Sequence, residues 1–152
     1  MSIDTNKAAL EKMVAHHRMM AAELGNRVAR VAGAAEDDYG MRAIEAVRSY
    51  LESEVFPHAR AEEGTLYAAA SAAGLGTLVE EMVEEHRRLF AEAEKLTHAE
   101  ADGNALDTAR GIATLFSAHA EKENTSILAP LAGDPGVDLE SLLQGMDGML
   151  AS

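Results

Sequence analysis

The fold is decided by the stretch Phe56-Pro57-His58-Ala59-Arg60-Ala61-Glu62-Glu63, which places a histidine and a glutamate four residues apart within an apolar helical pattern. The same His-x-x-x-Glu spacing returns in His119-Ala120-Glu121-Lys122-Glu123. Residues i and i+4 of an α-helix lie on one face, one turn apart. Each pair therefore aims an imidazole and a carboxylate at the same point inside the protein.

Two more histidines, His17 and His86, stand alone on the apolar stripes of two other predicted helices. The segment Met13-Val14-Ala15-His16-His17-Arg18 aligns without gaps to Met82-Val83-Glu84-Glu85-His86-Arg87, just as the two His-x-x-x-Glu segments align to each other. Two helical hairpins with the same ionisable residues are implied. Because buried carboxylates without compensation are costly, this set indicates a metal centre.

Apolar residues follow helical spacing in four long segments and one short terminal segment. We expect an all-α fold, an up-down-up-down antiparallel four-helix bundle over about residues 5–130, with a short additional C-terminal helix over about 138–150. The breaks fall near Gly33 to Gly40, at Gly74 and Gly76, at 102–104, and at the Gly133–Gly136 turn, after which Asp138 can cap the last helix. Residues 1–152 are expected to form a single domain.

Composition excludes several classes of partner. The chain has 26 acidic and 13 basic residues, and its net charge of −13 repels nucleic acid and anionic membrane surfaces. It contains no cysteine, so thiolate metal sites are excluded. Met1 to Lys12 lacks an apolar signal core and no apolar run is long enough to span a bilayer. We expect a cytoplasmic protein that is a monomer or a weak homodimer.

The ligand types narrow the choice of metal. Converging on the bundle axis, the six side chains bring together imidazole nitrogens and carboxylate oxygens in numbers that suit two metal ions. Such a set without thiolate favours iron, and manganese and zinc fit the same ligand types. Carboxylates are natural bridges between two cations. The residues predict a two-metal centre held by His17, His58, Glu62, His86, His119 and Glu123.

Over roughly residues 10–130 the chain resembles the hemerythrin-like family, also called the HHE cation-binding domain. The stretch from Phe56 to Glu63, followed by Leu66-Tyr67, is similar to that family's second-helix signature. The resemblance implies an oxo- or hydroxo-bridged pair of iron ions. It also implies that the four histidines are iron ligands and that Glu62 and Glu123 bridge both ions.

The chain departs from the family's oxygen carriers at two points. Respiratory members carry a second histidine four residues from the first on the third helix, where this chain has Met82 and Phe90 around His86. They also end with His-x-x-x-x-Asp on the fourth helix, whereas this chain has His119-x-x-x-Glu123. Of about twelve positions on two six-coordinate ions, roughly two remain after the protein ligands and a bridge are counted. Such an open centre suits peroxide turnover or NO binding better than reversible oxygen carriage.

Several functions fit this centre. The first is a non-haem di-iron enzyme of the catalase or peroxidase type, which decomposes hydrogen peroxide or a related small oxidant. The second is a module that binds or senses O2 or NO without turnover. The third is iron storage or handling, and the fourth is an interaction bundle without metal. The sequence alone leaves the choice between turnover and binding open.

Other polar residues near the predicted ligands have two interpretations each. Glu54, one turn before His58, would be either an outer acceptor or further ligand, or a solvated residue. Tyr50 and Tyr67 would either reach an open iron position or be boundary residues with their hydroxyls near water, which is the favoured interpretation. His16 and His98 lie off the apolar stripes and are not expected to be ligands. The acidic run Glu80, Glu81, Glu84 and Glu85 is interpreted as a solvated helix face.

Overall fold

The computed structural model describes residues 3–34, 38–97 and 103–151 of the chain, and the regular structure in those ranges is helical. The all-α prediction is therefore confirmed. His98, Asp102 and part of the predicted connection between Gly33 and Gly40 lie outside the described residues. Within the described ranges, no helix combines the length and apolar character needed to cross a membrane.

Eight α-helical segments are present in the described part of the chain, and three short π-helical segments interrupt them. The α-helices are α1 (Ile3–Gly33), α2 (Asp38–Tyr50), α3 (Phe56–Gly64), α4 (Leu66–Ala70), α5 (Gly76–Thr97), α6 (Gly103–Glu123), α7 (Ala129–Ala132) and α8 (Leu139–Ala151). The π-helical segments are Leu51–Val55, Ser71–Leu75 and Asn124–Leu128.

The buried apolar side chains form two clusters, and the predicted ligands lie between them along each long helix. On α1, His17 falls between Met13 of one cluster and Met20 of the other. On α5, His86 likewise falls between Met82 and Leu89. The core is therefore two apolar layers with a polar layer between them.

Proline explains two of the π-helical segments. Pro57 and Pro130 are each the second residue of the α-helix that follows a π-helical segment. A proline ring clashes with the carbonyl four residues earlier and lacks the N–H that would bond to it, so the preceding turn widens. Before His58 the chain inserts one wide turn, Leu51–Val55, and then continues as α3.

Two backbone breaks separate α3 from α5. Thr65, with φ −130° and ψ −78°, ends α3 immediately after Gly64. Its hydroxyl donates to the Ala61 carbonyl over 2.7 Å. Gly74 has φ 93°, a left-handed conformation that favours glycine, and it turns the chain into α5.

The last helix is held to the first by polar contacts. Asp138 accepts a hydrogen bond from the Ser141 N–H over 3.1 Å, which is the capping role predicted for it. Asn6 on α1 is fully buried and bonds to both sides of the junction, donating to the Val137 carbonyl and accepting from the Leu139 N–H. The start of α8 is thereby fixed against α1.

Candidate metal centre

The structure brings all six predicted ligands together. His17 lies on α1, His58 and Glu62 on α3, His86 on α5, and His119 and Glu123 on α6. Each of these residues is at most 5% exposed. Their donor atoms form two overlapping groups that share Glu62 and Glu123. We name these groups the first subsite (His17, His58, Glu62, Glu123) and the second subsite (Glu62, His86, His119, Glu123).

In the first subsite, four donor atoms face one another. The Nε2 atoms of His17 and His58 are 3.2 Å apart. Glu62 Oε2 lies 3.6 Å from His17 Nε2 and 3.4 Å from His58 Nε2. Glu123 Oε1 lies 3.3 Å from His17 Nε2. Neighbouring ligands of an ion bound at about 2.1 Å are separated by about 3 Å, so modest contraction would enclose a cation.

The second subsite uses the other oxygen of each carboxylate. Glu62 Oε1 lies 3.5 Å from His86 Nε2, and Glu123 Oε2 lies 3.5 Å from His119 Nε2. Each glutamate therefore directs one oxygen to each subsite, which is the geometry of a carboxylate bridge. Glu62 Oε2 and Glu123 Oε1 are buried and have no hydrogen-bond partner within the described part of the chain. Because such oxygens are costly to bury, the donor set fits a pair of cations.

The two carboxylates have opposite protonation tendencies in the metal-free centre. Burial raises the pKa of Glu123, and the negative charge of Glu62 raises it further. Burial also opposes ionisation of Glu62, but His58 and His17, together with a hydrogen bond from Glu123, hold the pKa of Glu62 well below its ordinary value. Together these shifts indicate that one proton is shared within the pair.

In the first subsite, the pKa of the His17 imidazole is raised. Burial lowers its pKa, but Glu62 and Glu123 outweigh burial and raise the pKa of His17 to about 9. The pKa of His119 is also raised, because Glu123 and Glu62 outweigh its desolvation. Without metal, bound protons compensate the buried carboxylates, and metal binding would release them.

Tyr67 lies against the second subsite, and the boundary interpretation favoured for it, with its hydroxyl near water, is wrong. Its side chain is 1% exposed, and its hydroxyl donates to Glu123 Oε2 over 2.7 Å. The hydroxyl oxygen of Tyr67 also lies 3.3 Å from His86 Nε2 and 3.4 Å from His119 Nε2. These are the separations expected between neighbouring ligands of one ion. Burial and the two carboxylates raise the pKa of Tyr67, so the metal-free phenol keeps its proton.

Three of the four imidazoles have an oxygen acceptor for the ring nitrogen that faces away from the centre. The Nδ1–H groups of His17 and His119 donate to Asn124 over 2.6 Å and to Glu85 over 2.8 Å. His86 Nδ1 lies 3.4 Å from Glu63. Such contacts fix the tautomer that leaves Nε2 free to bind metal. His58 Nδ1 is buried and has no partner among the described residues.

Comparison with protein families matches residues 8–132 to the hemerythrin HHE cation binding domain, a span that contains all six converging side chains. The chain belongs to the hemerythrin family. Neither the curated proteins nor the solved structures contain a match to it.

The acceptors of this hemerythrin domain were missed in the sequence. Glu85 had been assigned to a solvated face, but it accepts from His119 and also pairs with Lys122 Nζ at 3.0 Å. Asn124 and Glu63 were not singled out. All three are chain neighbours of a ligand, and each contacts a histidine on a different helix. A polar residue adjacent to a ligand was the available signal.

The remaining candidates lie outside the hemerythrin centre. Tyr50 is buried in the apolar core, with the Arg27 guanidinium 4.9 Å from its ring centroid. Glu54 is exposed and does not belong to either subsite. His16 is partly buried with its ring centroid 5.4 Å from that of His58, and it belongs to neither subsite.

Proposed function

We propose that this hemerythrin-family protein binds two iron ions, one in each subsite, bridged by Glu62 and Glu123. The observation that carries the proposal is the division of each carboxylate, with one oxygen directed to His17 or His58 and the other to His86 or His119. Nitrogen and oxygen ligands without thiolate favour iron, and manganese or zinc would use the same atoms.

The two proposed ions would be unequally covered by protein. The first subsite supplies four ligand atoms, whereas the second supplies four and the Tyr67 oxygen. A six-coordinate ion in the first subsite would therefore keep about two positions for other ligands, against about one in the second. We assign the reactive position to the first subsite.

The free space at the centre limits what can react there. A cavity of about 10 Å³ remains between the ligands, which is about the space of one water molecule. The apolar side chains of Val55, Leu89 and Phe116 line it. Because the proposed ions would themselves occupy this space, the tight apolar lining around them favours reactants the size of hydrogen peroxide, O2 or NO over larger substrates.

We propose hydrogen peroxide as the substrate, in a disproportionation that converts two peroxide molecules into two waters and one O2. Two bound iron ions would supply the two-electron change that each half of this reaction requires. Glu62 and Glu123 would hold both ions at a fixed separation. The Tyr67 oxygen, which contacts Glu123 Oε2, would bind the ion in the second subsite, and Val55, Leu89 and Phe116 would exclude bulk water.

An oxygen electrode tests this proposal directly. Iron-loaded protein should release O2 from peroxide faster than the same amount of free iron, and His58→Ala should remove most of that activity. Glu121→Gln is the matched control, since Glu121 is exposed on the same helix as the bridging Glu123. If the wild-type rate equals that of free iron, or if His58→Ala keeps the full rate, the peroxide proposal is wrong.

Binding of O2 or NO without turnover is the second candidate, because the same open position in the first subsite would accept either molecule. Mixing the reduced protein with each gas should then give a stable optical adduct. An adduct without peroxide activity would favour this binding role. Two tightly held ions with neither adduct nor turnover would favour iron handling instead.

The proposal also includes an architecture. We take the chain as one domain in which α1, the α2–α4 segment, α5 and the α6–α7 segment run up-down-up-down, with α8 as an additional C-terminal helix. Mild proteolysis should release no stable fragment smaller than the bundle, and a stable half would contradict the single-domain arrangement.

A further inference from the structure

A second cavity lies outside the metal centre and shares a wall with it. Its volume is about 340 Å³, and residues of α1, α3 and α8 line it. Most of the lining is methionine, leucine and alanine, including Met13, Met19 and Met146. His58 lines both this cavity and the metal centre, so its ring separates the two spaces.

Among the described residues, His58 has no acceptor for its Nδ1–H, whereas the corresponding histidine of the second subsite has one. When His58 Nε2 binds a metal, its proton must sit on Nδ1, and Nδ1 has no partner among the described residues. His119, its counterpart in the internal repeat, donates its Nδ1–H to the Glu85 carboxylate. The residue aligned with Glu85 is His16, which lines the same cavity as His58 and cannot supply a carboxylate.

A cation also lines this cavity. Lys12 forms no ion pair within the described part of the chain, although Asp147 lines the same cavity. Lys12 and His58, two groups that donate hydrogen bonds, therefore both line this mostly apolar space, and neither is paired with an acceptor among the described residues, Asp147 included. A carboxylate would satisfy both types of donor, and an apolar body would fill the rest of the space.

We propose that this cavity binds a small organic carboxylate with an apolar body, whose head group takes the place that Glu85 has in the second subsite. The ligand binds beside the centre and not on the metal. Because His58 Nδ1 is buried, the partly buried His16 ring turns aside to admit a ligand oxygen. The part played by His58 rests on the proposed metal site, whereas the cavity and Lys12 do not.

Calorimetric titration with three matched probes tests the proposed head group: octanoate, octanol and octylammonium. Octanoate should bind about tenfold more tightly than the other two. The net charge of −13 attracts the ammonium probe everywhere on the surface, so a preference for carboxylate must come from the cavity. Equal or tighter binding of octanol or octylammonium, or no binding of octanoate, overturns the proposal.

Three variants, one of them a control, locate the binding. Lys12→Gln should weaken octanoate binding about tenfold, while Lys7→Gln, the same change on α1 outside the cavity, should leave it unchanged. His16→Glu should abolish it, because the new carboxylate occupies the acceptor position itself. Equal effects of Lys12→Gln and Lys7→Gln would overturn the proposed site.

The titration also separates this proposal from the metal proposal. Octanoate should bind the metal-free protein through Lys12 and the cavity, and the iron-loaded protein more tightly through the added His58 contact. Binding to a protein that takes up no iron would leave the cavity proposal standing while the metal proposal fails. A protein that takes up two ions but binds octanoate in neither form would refute the cavity proposal alone.

Discussion

The first and second subsites present the same types of ligand atom, but the groups behind those ligands are neutral or missing in one and negatively charged in the other. His17 donates to the Asn124 amide, and His58 Nδ1 has no acceptor among the residues that the structure describes. The second subsite has carboxylates in both positions, with Glu85 2.8 Å from His119 and Glu63 3.4 Å from His86. Symmetric ligands therefore do not make symmetric subsites.

The internal repeat shows how this difference arises, position by position. In the alignment of the two hairpins, Glu63 corresponds to Asn124 and Glu85 corresponds to His16. Tyr67, five residues after Glu62, corresponds to Leu128, five residues after Glu123, which is fully buried in the apolar core. Each of these pairs places the charged or hydroxyl-bearing member beside the second subsite.

The group that accepts a hydrogen bond from an imidazole affects how strongly that imidazole binds a metal ion. An imidazole that donates to a carboxylate is a more basic ligand than one that donates to an amide or to nothing. The second subsite should therefore bind its ion more tightly, and the first should hold a more weakly bound and more reactive ion. Under the proposed function, the second subsite would hold its ion and the first would be the place of reaction.

The largest effect is expected from replacing a carboxylate that both subsites share. Glu123→Gln takes a bridging oxygen from each subsite, so it should lower the affinity for both ions by at least about 100-fold. Iron content per chain after reconstitution and desalting measures this. Glu121→Gln, exposed two residues away, should keep the wild-type content. Loss of only one ion in Glu123→Gln would contradict the bridge.

The comparison itself predicts stepwise metal binding. Titration of the metal-free protein should show two affinities that differ by about 10- to 100-fold, with the tighter ion in the second subsite. His86→Ala should remove the tight step, and His58→Ala should remove the weak step. A single affinity for two ions, or the opposite assignment of the two variants, would show that the surroundings do not control affinity.

Tyr67→Phe should make the second subsite more like the first. A phenolate bound to ferric iron absorbs visible light, so the iron-loaded protein should show such a band and the variant should lack it. Loss of the buried hydrogen bond to Glu123 should also lower the unfolding free energy of the metal-free protein by about 2 kcal/mol. Tyr50→Phe, in the apolar core, should keep the band. A band that persists in Tyr67→Phe refutes ligation.

Exchanging the acceptors should reduce the difference in metal affinity between the two subsites. His16→Glu gives the first subsite the carboxylate that the second has, and should raise its metal affinity about tenfold. Glu85→Gln should lower the affinity of the second subsite by about the same factor. Glu84→Gln is the control, since Glu84 is exposed and pairs with Arg87. Competition with a chelator measures all three, and unchanged affinities would rule out acceptor control.

The smallest effect is a pH dependence of the metal-free protein. Because folding raises the pKa of His17 from 6.5 to about 9, its contribution to stability is full below pH 6.5 and is lost as the pH rises through about 9. Urea unfolding at several pH values should show this decline, and the raised pKa of His119 adds to it. His17→Gln should flatten the curve, as should bound metal, which replaces the proton. A wild-type curve that rises over this range would contradict the assignment.

The six converging side chains were predictable because their positions depend on helical periodicity alone. The i and i+4 spacing places His58 with Glu62, and His119 with Glu123, on one face whatever the rest of the chain does. The acceptors could not be predicted in this way. Asn124 serves His17 from a position 107 residues away, and that contact depends on how two helices are rotated against each other.

The position of the Tyr67 hydroxyl could not be predicted from helical periodicity, for a different reason. On a continuous helix, a residue five positions after Glu62 would lie about 140° away around the axis, off the ligand face. The break at Thr65 ends that helix and re-aims the residues that follow it, so the Tyr67 hydroxyl reaches Glu123. The break itself has no strong sequence signal, since Thr65 follows Gly64 without a proline.

The wide turns at Leu51–Val55 and Asn124–Leu128 also determine what the deletion of a single residue would do to this chain. A π-helical turn holds one residue more than an α-helical turn, so deleting one residue there would restore a regular helix and rotate everything beyond it by about 100°. In the earlier turn, such a deletion would swing His58 and Glu62 away from both subsites. In the later turn, a deletion after Asn124 would leave Glu123 and Asn124 in place and displace Leu131 and the chain leading to α8. Single-codon deletions at these two places should therefore be tolerated very differently, the first ending metal binding and the second loosening only the end of the molecule.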